Sequence, residues 1–341
     1  MNILFDIGHP AHVHLFKNFI FYLQQKKITF TVLTRNKEIT NQLLKHYNIP
    51  YYSISSPRTS KLGMLFELCI RNFKILKFYL KNDCTLSLGT SVSIGHLTKF
   101  SRGKVVSWNF NEDDDRVVPL YTKLAYPHSS IIINPNCLVF KDWKKKRVLH
   151  PSYHELAYLH PNNFKADKNI IKKYGLKKSK YIIFRFSALT AHHDSKAKGI
   201  SPELRDDIQK VLNDYEIIES FESKSGSKIE PWDMHHVLAN AKMIISDSQT
   251  MTIEGAVLGV PSVRINTFIG KSTVIEELES KYKLAYGFFP KDKEDIISLL
   301  KKLVNDDELE EKFKIKKNLL LKEKIDFNKW LITYFEDEIN F

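Results

Sequence analysis

Three histidines in six residues stand in the first loop of this chain, Gly8-His9-Pro10-Ala11-His12-Val13-His14, directly after the apolar run that ends in Asp6-Ile7. An imidazole titrates near neutral pH, so it can take a proton from a substrate hydroxyl and give it back. His12 is the first candidate for that base and His14 the second, with Asp6 at the strand end as the carboxylate that would orient the ring. Gly8 and His9 share the loop and are read as substrate-binding. Two other uses of the same residues stay open: capping of the helix that follows, and metal ligation, although no carboxylate or cysteine cluster completes a metal set in sequence.

A second constellation lies at Ser246-Asp247-Ser248-Gln249-Thr250. It interrupts the apolar Met243-Ile244-Ile245, and helix formers resume from Thr252 to Leu258 until Gly259 and Pro261 stop them, which predicts a strand, a turn and a helix start. Amides and hydroxyls at a helix N-terminus suit phosphate oxygens, so Ser246, Asp247, Ser248, Gln249 and Thr250 are assigned to a nucleotide diphosphate. Glu254, about one turn into the helix, is in range of ribose hydroxyls. The plainer reading is that Ser246, Asp247 or Ser248 only caps the helix. Arg185 and Ser187, after the strand Tyr181 to Phe186, are candidates for the same diphosphate, and His193 and Asp194 in that loop for the substrate. Arg264, at the end of a later strand, is another candidate cation.

The acidic run Asn111-Glu112-Asp113-Asp114-Asp115-Arg116 follows the strand through Trp108. Asp113 to Asp115 are expected to be a solvated face, as charge runs usually are. Glu112 and Arg116 stand apart from the run as substrate-binding candidates.

The elements that must position these residues alternate. Ile3 to Phe5, a helix from about His14 to Lys26, Thr29 to Thr34, a helix from about Lys37 to Tyr47 and Tyr51 to Ile54 make a βαβαβ start. Thr85 to Leu88, Val105 to Trp108 and Ser130 to Ile133 extend a parallel sheet, and the basic stretch Lys141 to Asn163 leads away from it. A second alternating unit begins at Tyr181. The charged helical tail ends with Trp330, Leu331, Tyr334 and Phe335 spaced to pack as one face. Ligands of two such units sit at the carboxyl ends of their strands, so the loops after Phe5, Leu88, Phe186 and Ile245 are expected to converge on one cleft.

The helix over Ser60 to Asp83 carries Leu62, Leu65, Phe66, Cys69, Ile70, Phe73 and Leu76 at helical spacing, beside Lys61, Arg71, Lys74, Lys77 and Lys81. Its apolar face is expected on the sheet and its basic edge on anionic lipid.

The 341 residues suffice for two α/β domains, and 43% apolar content excludes disorder. Fifty-two Lys and Arg against 39 Asp and Glu leave a net charge of +13, which calls for an anionic partner. No nucleic-acid module accompanies that charge, so nucleic acid is not an expected partner. Three scattered cysteines suggest neither zinc nor disulfides. Met1 to Asp6 reads directly as a strand and no long uncharged run appears, so the expected location is cytoplasmic, with peripheral placement on the inner membrane face.

The Ser246 to Pro261 segment, with Ser-Asp-Ser, Glu and Gly-x-Pro, resembles the nucleotide-sugar site of GT-B glycosyltransferases and of the related non-hydrolysing UDP-N-acetylglucosamine 2-epimerases. Ala11-His12-Val13 is similar to the Gly-His-Val loop that opens many GT-B enzymes, with Ala11 in place of the usual glycine. The His-Val-His segment and Tyr153-His154-Glu155-Leu156-Ala157-Tyr158-Leu159-His160-Pro161 resemble the domain-of-unknown-function 354 family. The resemblance implies two Rossmann-like domains facing a central cleft, residues 1–160 for the acceptor and 161–325 for the nucleotide-sugar, with a helix over 326–341 crossing back. Related epimerases carry acids near Glu112 that move a proton at the sugar C2 carbon. They also carry a Gly-Asp-Thr after an earlier strand, whose Asp takes part in the chemistry. Here Leu88-Gly89-Thr90 lacks that acid, which disfavours epimerisation.

The expected function is therefore a metal-independent glycosyltransferase without cofactor. Its donor is a nucleotide-sugar, UDP- or another NDP- or CMP-sugar, and its acceptor a glycan or polyprenyl-linked saccharide of an envelope polysaccharide such as capsule or lipopolysaccharide. An anionic membrane surface is a further expected partner. A nucleotide-sugar 2-epimerase and a non-enzymatic sugar-nucleotide or nucleic-acid binding protein are the alternatives.

Overall fold

The computed structural model describes residues 1–187, 199–221 and 228–339. The chain divides into two compact units: unit 1 is Met1–Tyr158 with Asp326 onward, and unit 2 is Leu159–Ile325.

Unit 1 alternates β1 (Asn2–Ile7), α1 (Pro10–Gln25), β2 (Thr29–Arg35), α2 (Glu38–His46), β3 (Tyr52–Ser55), α3 (Lys61–Asn82), β4 (Leu86–Gly89), α4 (Val92–Phe100), β5 (Val106–Phe110), α5 (Pro119–Ala125), β6 (Ile131–Pro135) and β7 (Arg147–His150), and α6 (Leu156–Leu159) follows. The strands form a parallel sheet in the order β3-β2-β1-β4-β5-β6-β7. Helices cover a parallel sheet on both faces, which is why Ile3, Leu4, Phe5 and Ile7 of β1 are all buried without alternation. Phe5 meets Phe16 and Phe19 of α1 edge-on at 5.5 and 6.1 Å.

Two sequence expectations change here. The basic stretch from Lys141 does not simply leave the sheet: Val148 and Leu149 pair with Ile133 and Asn134 and add β7. An edge strand needs only one partner and tolerates basic neighbours, so its signal is short. Helix α3 turns the opposite way to its apolar pattern. It buries Glu67, Arg71 and Ile75, while Leu62, Leu65, Phe66, Cys69, Phe73 and Leu80 are exposed. Ion pairs made by Glu67 and Arg71 hold that polar face inward, as described below.

Unit 2 alternates α7 (Lys168–Lys173), β8 (Tyr181–Phe186), α8 (Pro202–Val211), β9 (Glu216–Phe221), α9 (Met234–Leu238), β10 (Met243–Ser246), α10 (Gln249–Leu258), β11 (Ser262–Ile265), α11 (Thr273–Ser280), β12 (Ala285–Phe288), α12 (Lys293–Val304) and α13 (Leu309–Glu323). Its parallel sheet runs β12-β11-β10-β8-β9. Helix α10 is buried from Met251 to Leu258. Gly255 permits that approach, because a Cβ there would stand 2.5 Å from Ser262 Oγ and 2.7 Å from Ile244 Cγ2.

The last helix, α14 (Phe327–Ile339), belongs to unit 1. Phe335 packs on Phe19 at 5.1 Å and Trp330 on His150 at 5.1 Å, both on the apolar face that its spacing predicts. Among the described residues, no helix is long and apolar enough to cross a membrane.

Candidate active site

A parallel sheet gathers its loops at the carboxyl ends of the strands and opens a crevice where the strand order reverses. In unit 1 the order reverses between β1 and β4, and in unit 2 between β8 and β10. The loops at these two points carry the chemistry-bearing residues.

In unit 1, His12 lies in the first turn of α1 at the end of β1. The Thr90 hydroxyl, from the end of β4, stands 3.1 Å from its Nδ1 and 3.0 Å from its Nε2, and the Gly8 amide points at Nδ1 at 3.3 Å. Burial first, then the neighbouring His9, holds the His12 pKa well below its usual value, so the ring is neutral at physiological pH. Tyr121 fixes Thr90 from behind: its hydroxyl lies 2.7 Å from the Thr90 carbonyl and 2.6 Å from Asn109 Oδ1. A neutral imidazole with a hydroxyl at its edge has the contact that a general base makes with an acceptor.

Asp6 does not orient His12. It is fully buried and takes hydrogen bonds from the Arg71 guanidinium and the Ser91 hydroxyl. Arg71 also donates to Ser55 Oγ at 2.9 Å, and Glu67 accepts from Ser55 at 3.0 Å and from Arg35 Nε at 2.7 Å. A carboxylate that deep needs a paired charge, and α3 supplies it from 65 residues away. Burial lowers the Arg71 pKa to about 10, which leaves it charged. Arg71 is thus an internal counter-ion and not the surface cation its helix pattern suggests.

His9 and His14 have different places from His12. His9 is the N-cap of α1, and its Nδ1 accepts from the Ala11 amide at 3.2 Å. His14 is buried, with its ring 5.2 Å from that of Tyr158 and 6.2 Å from that of Tyr47, so packing removes it from the loop surface. Gly8 is half-buried, and a notional Cβ there would make an ordinary contact with Arg35 Cδ at 3.8 Å.

The acidic run is not a solvated face. Asp114 is fully buried and accepts from the Val139 amide at 2.8 Å, and Asp115 takes two 2.8 Å bonds from Arg147. Arg147 of β7 thus pairs with Asp115 from 32 residues away. Arg116 is half exposed and lies 3.5 Å from Asp114. Glu112 holds the other end of the segment, accepting from the His154 amide at 2.9 Å with its second oxygen 3.4 Å from His154 Nδ1. That carboxylate favours a charged ring, but burial outweighs it and pushes the His154 pKa down to about 3.

In unit 2 the Ser187 amide donates to Asp247 Oδ1 at 2.6 Å, tying the loop after β8 to the loop after β10. Asn266 Nδ2 holds the Asp247 carbonyl at 2.8 Å. Burial raises the Asp247 pKa against the opposing pull of Ser187. A carboxylate offers phosphate no donor, so Asp247 is a clamp between loops and not a phosphate ligand. Ser246 Oγ accepts from the Ser248 amide at 2.9 Å, and Ser248 is the N-cap of α10, accepting from Met251. The partly exposed first turn then presents the amides of Gln249 and Thr250 and the side chains of Ser248, Gln249 and Thr250.

Three further expectations shift. Arg264 is fully buried and paired with Glu279 at 2.9 Å, an internal tie between β11 and α11 and not a phosphate cation. Glu254 is buried, with Oε1 3.0 Å from His235 Nε2 and not at the surface for ribose. Arg185 is half-buried and donates to Ser220 Oγ at 2.6 Å. His193 and Asp194 lie outside the described residues. Among the described residues, no group of three or more His, Cys, Asp or Glu is arranged to hold a metal ion.

Thr90, Tyr121, Arg71 and Ser91 were not singled out for the site by sequence. The available signal was positional: Thr90 and Ser91 follow β4, which is the strand across the reversal from β1.

The model of the family described as Protein of unknown function (DUF354) matches residues 1–327. No curated protein matches the chain in sequence. Among solved structures, MnaA of S. aureus with UDP is similar over 99% of this chain and 97% of its own, at 12% identity and a TM-score of 0.69. The UDP-GlcNAc 2-epimerase of Methanocaldococcus jannaschii, in complex with UDP-GlcNAc and UDP, covers 94% and 99% at 15% identity and a TM-score of 0.64. Glycosyltransferase VinC in complex with DTDP covers 95% and 96% at 8% identity and a TM-score of 0.56. At such identities the likeness is one of fold: two Rossmann-like halves of GT-B type.

Proposed function

This chain belongs to the family described as Protein of unknown function (DUF354), and we propose that it is a glycosyltransferase that moves a sugar from a nucleotide-sugar to a glycan or polyprenyl-linked acceptor. The observation that carries the reading is His12: a neutral imidazole, partly exposed at the carboxyl end of β1, with a hydroxyl at its edge. In this mechanism His12 takes the proton of the acceptor hydroxyl as that oxygen attacks the anomeric carbon. The bond from that carbon to the diphosphate breaks, and the first turn of α10 stabilises the negative charge left on the phosphate with its amides and dipole. Ser248, Gln249 and Thr250 are the donors for that diphosphate, and Ser187, Ser246 and Asp247 keep their loops in shape.

Thermal unfolding with UDP, UDP-GlcNAc and other sugar nucleotides tests the donor half. A ligand at 100 times its Kd raises stability by about 2.7 kcal/mol, an easily read shift. A flat response across the panel would remove the proposal.

A 2-epimerase is the second reading, favoured by one observation: the Glu112 carboxylate and the neutral His154 ring form an acid-base pair in the same unit as His12. Thr90 stands after Gly89 where an acid would serve that chemistry. Incubation with sugar nucleotide alone separates the two, since only epimerisation yields product without an acceptor.

A further inference from the structure

Helix α3 leaves an apolar face uncovered. Leu62, Phe66, Cys69, Phe73 and Leu80 follow one another at intervals of three, four and seven residues, so they share one stripe along the helix. Leu62 is 82% exposed, Phe66 54%, Phe73 69% and Leu80 71%, which is unusual for side chains of that size lying together. The stripe is about 27 Å long from the helical rise. The opposite side of the helix is anchored by Arg71 on Asp6, Glu67 on Arg35 and Ile75 in the core, so the outward stripe is fixed by the fold.

Lys74, Lys77 and Lys81 run along one edge of the stripe, and Arg58 lies over the Phe66 ring at 5.1 Å. Lys61 is exposed at the start of the helix, and the helix's one acid, Glu67, is buried. Every exposed charge on α3 is therefore positive. A second copy laid on the same face would set these cations against their equals, which opposes self-association. Aromatic and aliphatic side chains edged by lysines match an anionic bilayer, where the rings enter the acyl boundary and the ammonium groups meet phosphate.

We propose that α3 is a membrane-seating helix that lies in the surface of an anionic bilayer. The inference stands independently of glycosyl transfer, since it uses no residue of the His12 or α10 loops. The inner face of the same helix holds Asp6 at the end of β1, so the strand that feeds the His12 loop is fixed directly to the seated element.

Vesicle co-sedimentation of the full chain tests this, with phosphatidylcholine alone and with phosphatidylcholine containing phosphatidylglycerol. The chain is expected to pellet with the anionic vesicles, and high salt to release it. Phe66→Ser with Phe73→Ser should weaken binding at least about tenfold through lost apolar burial. Lys77→Gln with Lys81→Gln should weaken it only on the anionic vesicles. All four residues are exposed, so thermal melting and any nucleotide response should stay at wild-type values. Equal binding to both vesicle types, or binding by both variants at wild-type strength, overturns the proposal. So does a failure to bind anionic vesicles, whether or not sedimentation equilibrium then reveals a dimer that the phenylalanine variant abolishes.

Discussion

The amide of Ser187 donates to Asp247 Oδ1 at 2.6 Å, joining the loop after β8 to the loop after β10 where the order of the unit 2 sheet reverses. Unit 1 has its counterpart in Thr90 and His12, which meet at 3.0 Å across the reversal between β1 and β4. One contact is a clamp with a buried carboxylate, and the other leaves a neutral base at the edge of its loop. That difference gives the first a part in loop architecture, and the mechanism proposed above gives the second the proton transfer.

Asp247→Ala should leave the Ser187 amide without its acceptor and destabilise unit 2 by about 1–3 kcal/mol. Nucleotide affinity should fall with it, since the turn before α10 loses its tie. Urea unfolding and a UDP titration read the two effects. Full stability combined with full affinity would remove the clamp.

His12→Gln should cut transfer by about 10²–10⁴-fold while nucleotide binding stays at wild-type strength. The His12 pKa is depressed, so the base form persists below the ordinary histidine range. The acid limb of kcat/KM should accordingly fall below about pH 6.5. An acid limb above that value, or a His12→Gln enzyme of normal turnover, would exclude His12 as the base.

Arg71→Leu should destabilise the protein by about 3–5 kcal/mol, because it strands the Asp6 carboxylate in the interior. Pairing it with Asp6→Asn should restore part of the loss, since the neutral amide costs less to bury than an unpaired charge. Denaturant unfolding of the single and double variants gives the coupling directly.

Stability should decline as pH falls below about 6.5. The folded pKa of His12 and of His154 lies below the unfolded value, so the unfolded chain binds more protons in that window. The stabilisation is complete above the unfolded pKa and is lost down toward the His154 value of about 3. Each ring contributes a slope of about 1.4 kcal/mol per pH unit. Urea unfolding across this range should show a shallower decline for His154→Gln, and an unchanged slope would mean that the ring is not held neutral.

Glu254→Ala should lower stability through the lost bond to His235, with or without nucleotide. A selective loss of UDP affinity at unchanged stability would instead return Glu254 to the ribose.

The sequence by itself determined the alternation of strand and helix, a helix start capped within Ser246 to Ser248 and the apolar face of α14, because these depend on residues within one or two turns of each other. The loops at β1, β4, β8 and β10 were equally legible, since a strand end is a local event. Partner choice was not. Asp6 faces Arg71 and not His12, Asp115 faces Arg147 and not solvent, and Arg264 faces Glu279 and not an anion. Each pairing follows from crossover connections that bring distant segments into register, and a buried charge then takes the nearest opposite one. The same rule turned α3 over. Its hydrophobic pattern pointed one face inward, but Glu67 and Arg71 are bound to buried partners, and only the tertiary structure could decide that the ion pairs prevail over the apolar stripe.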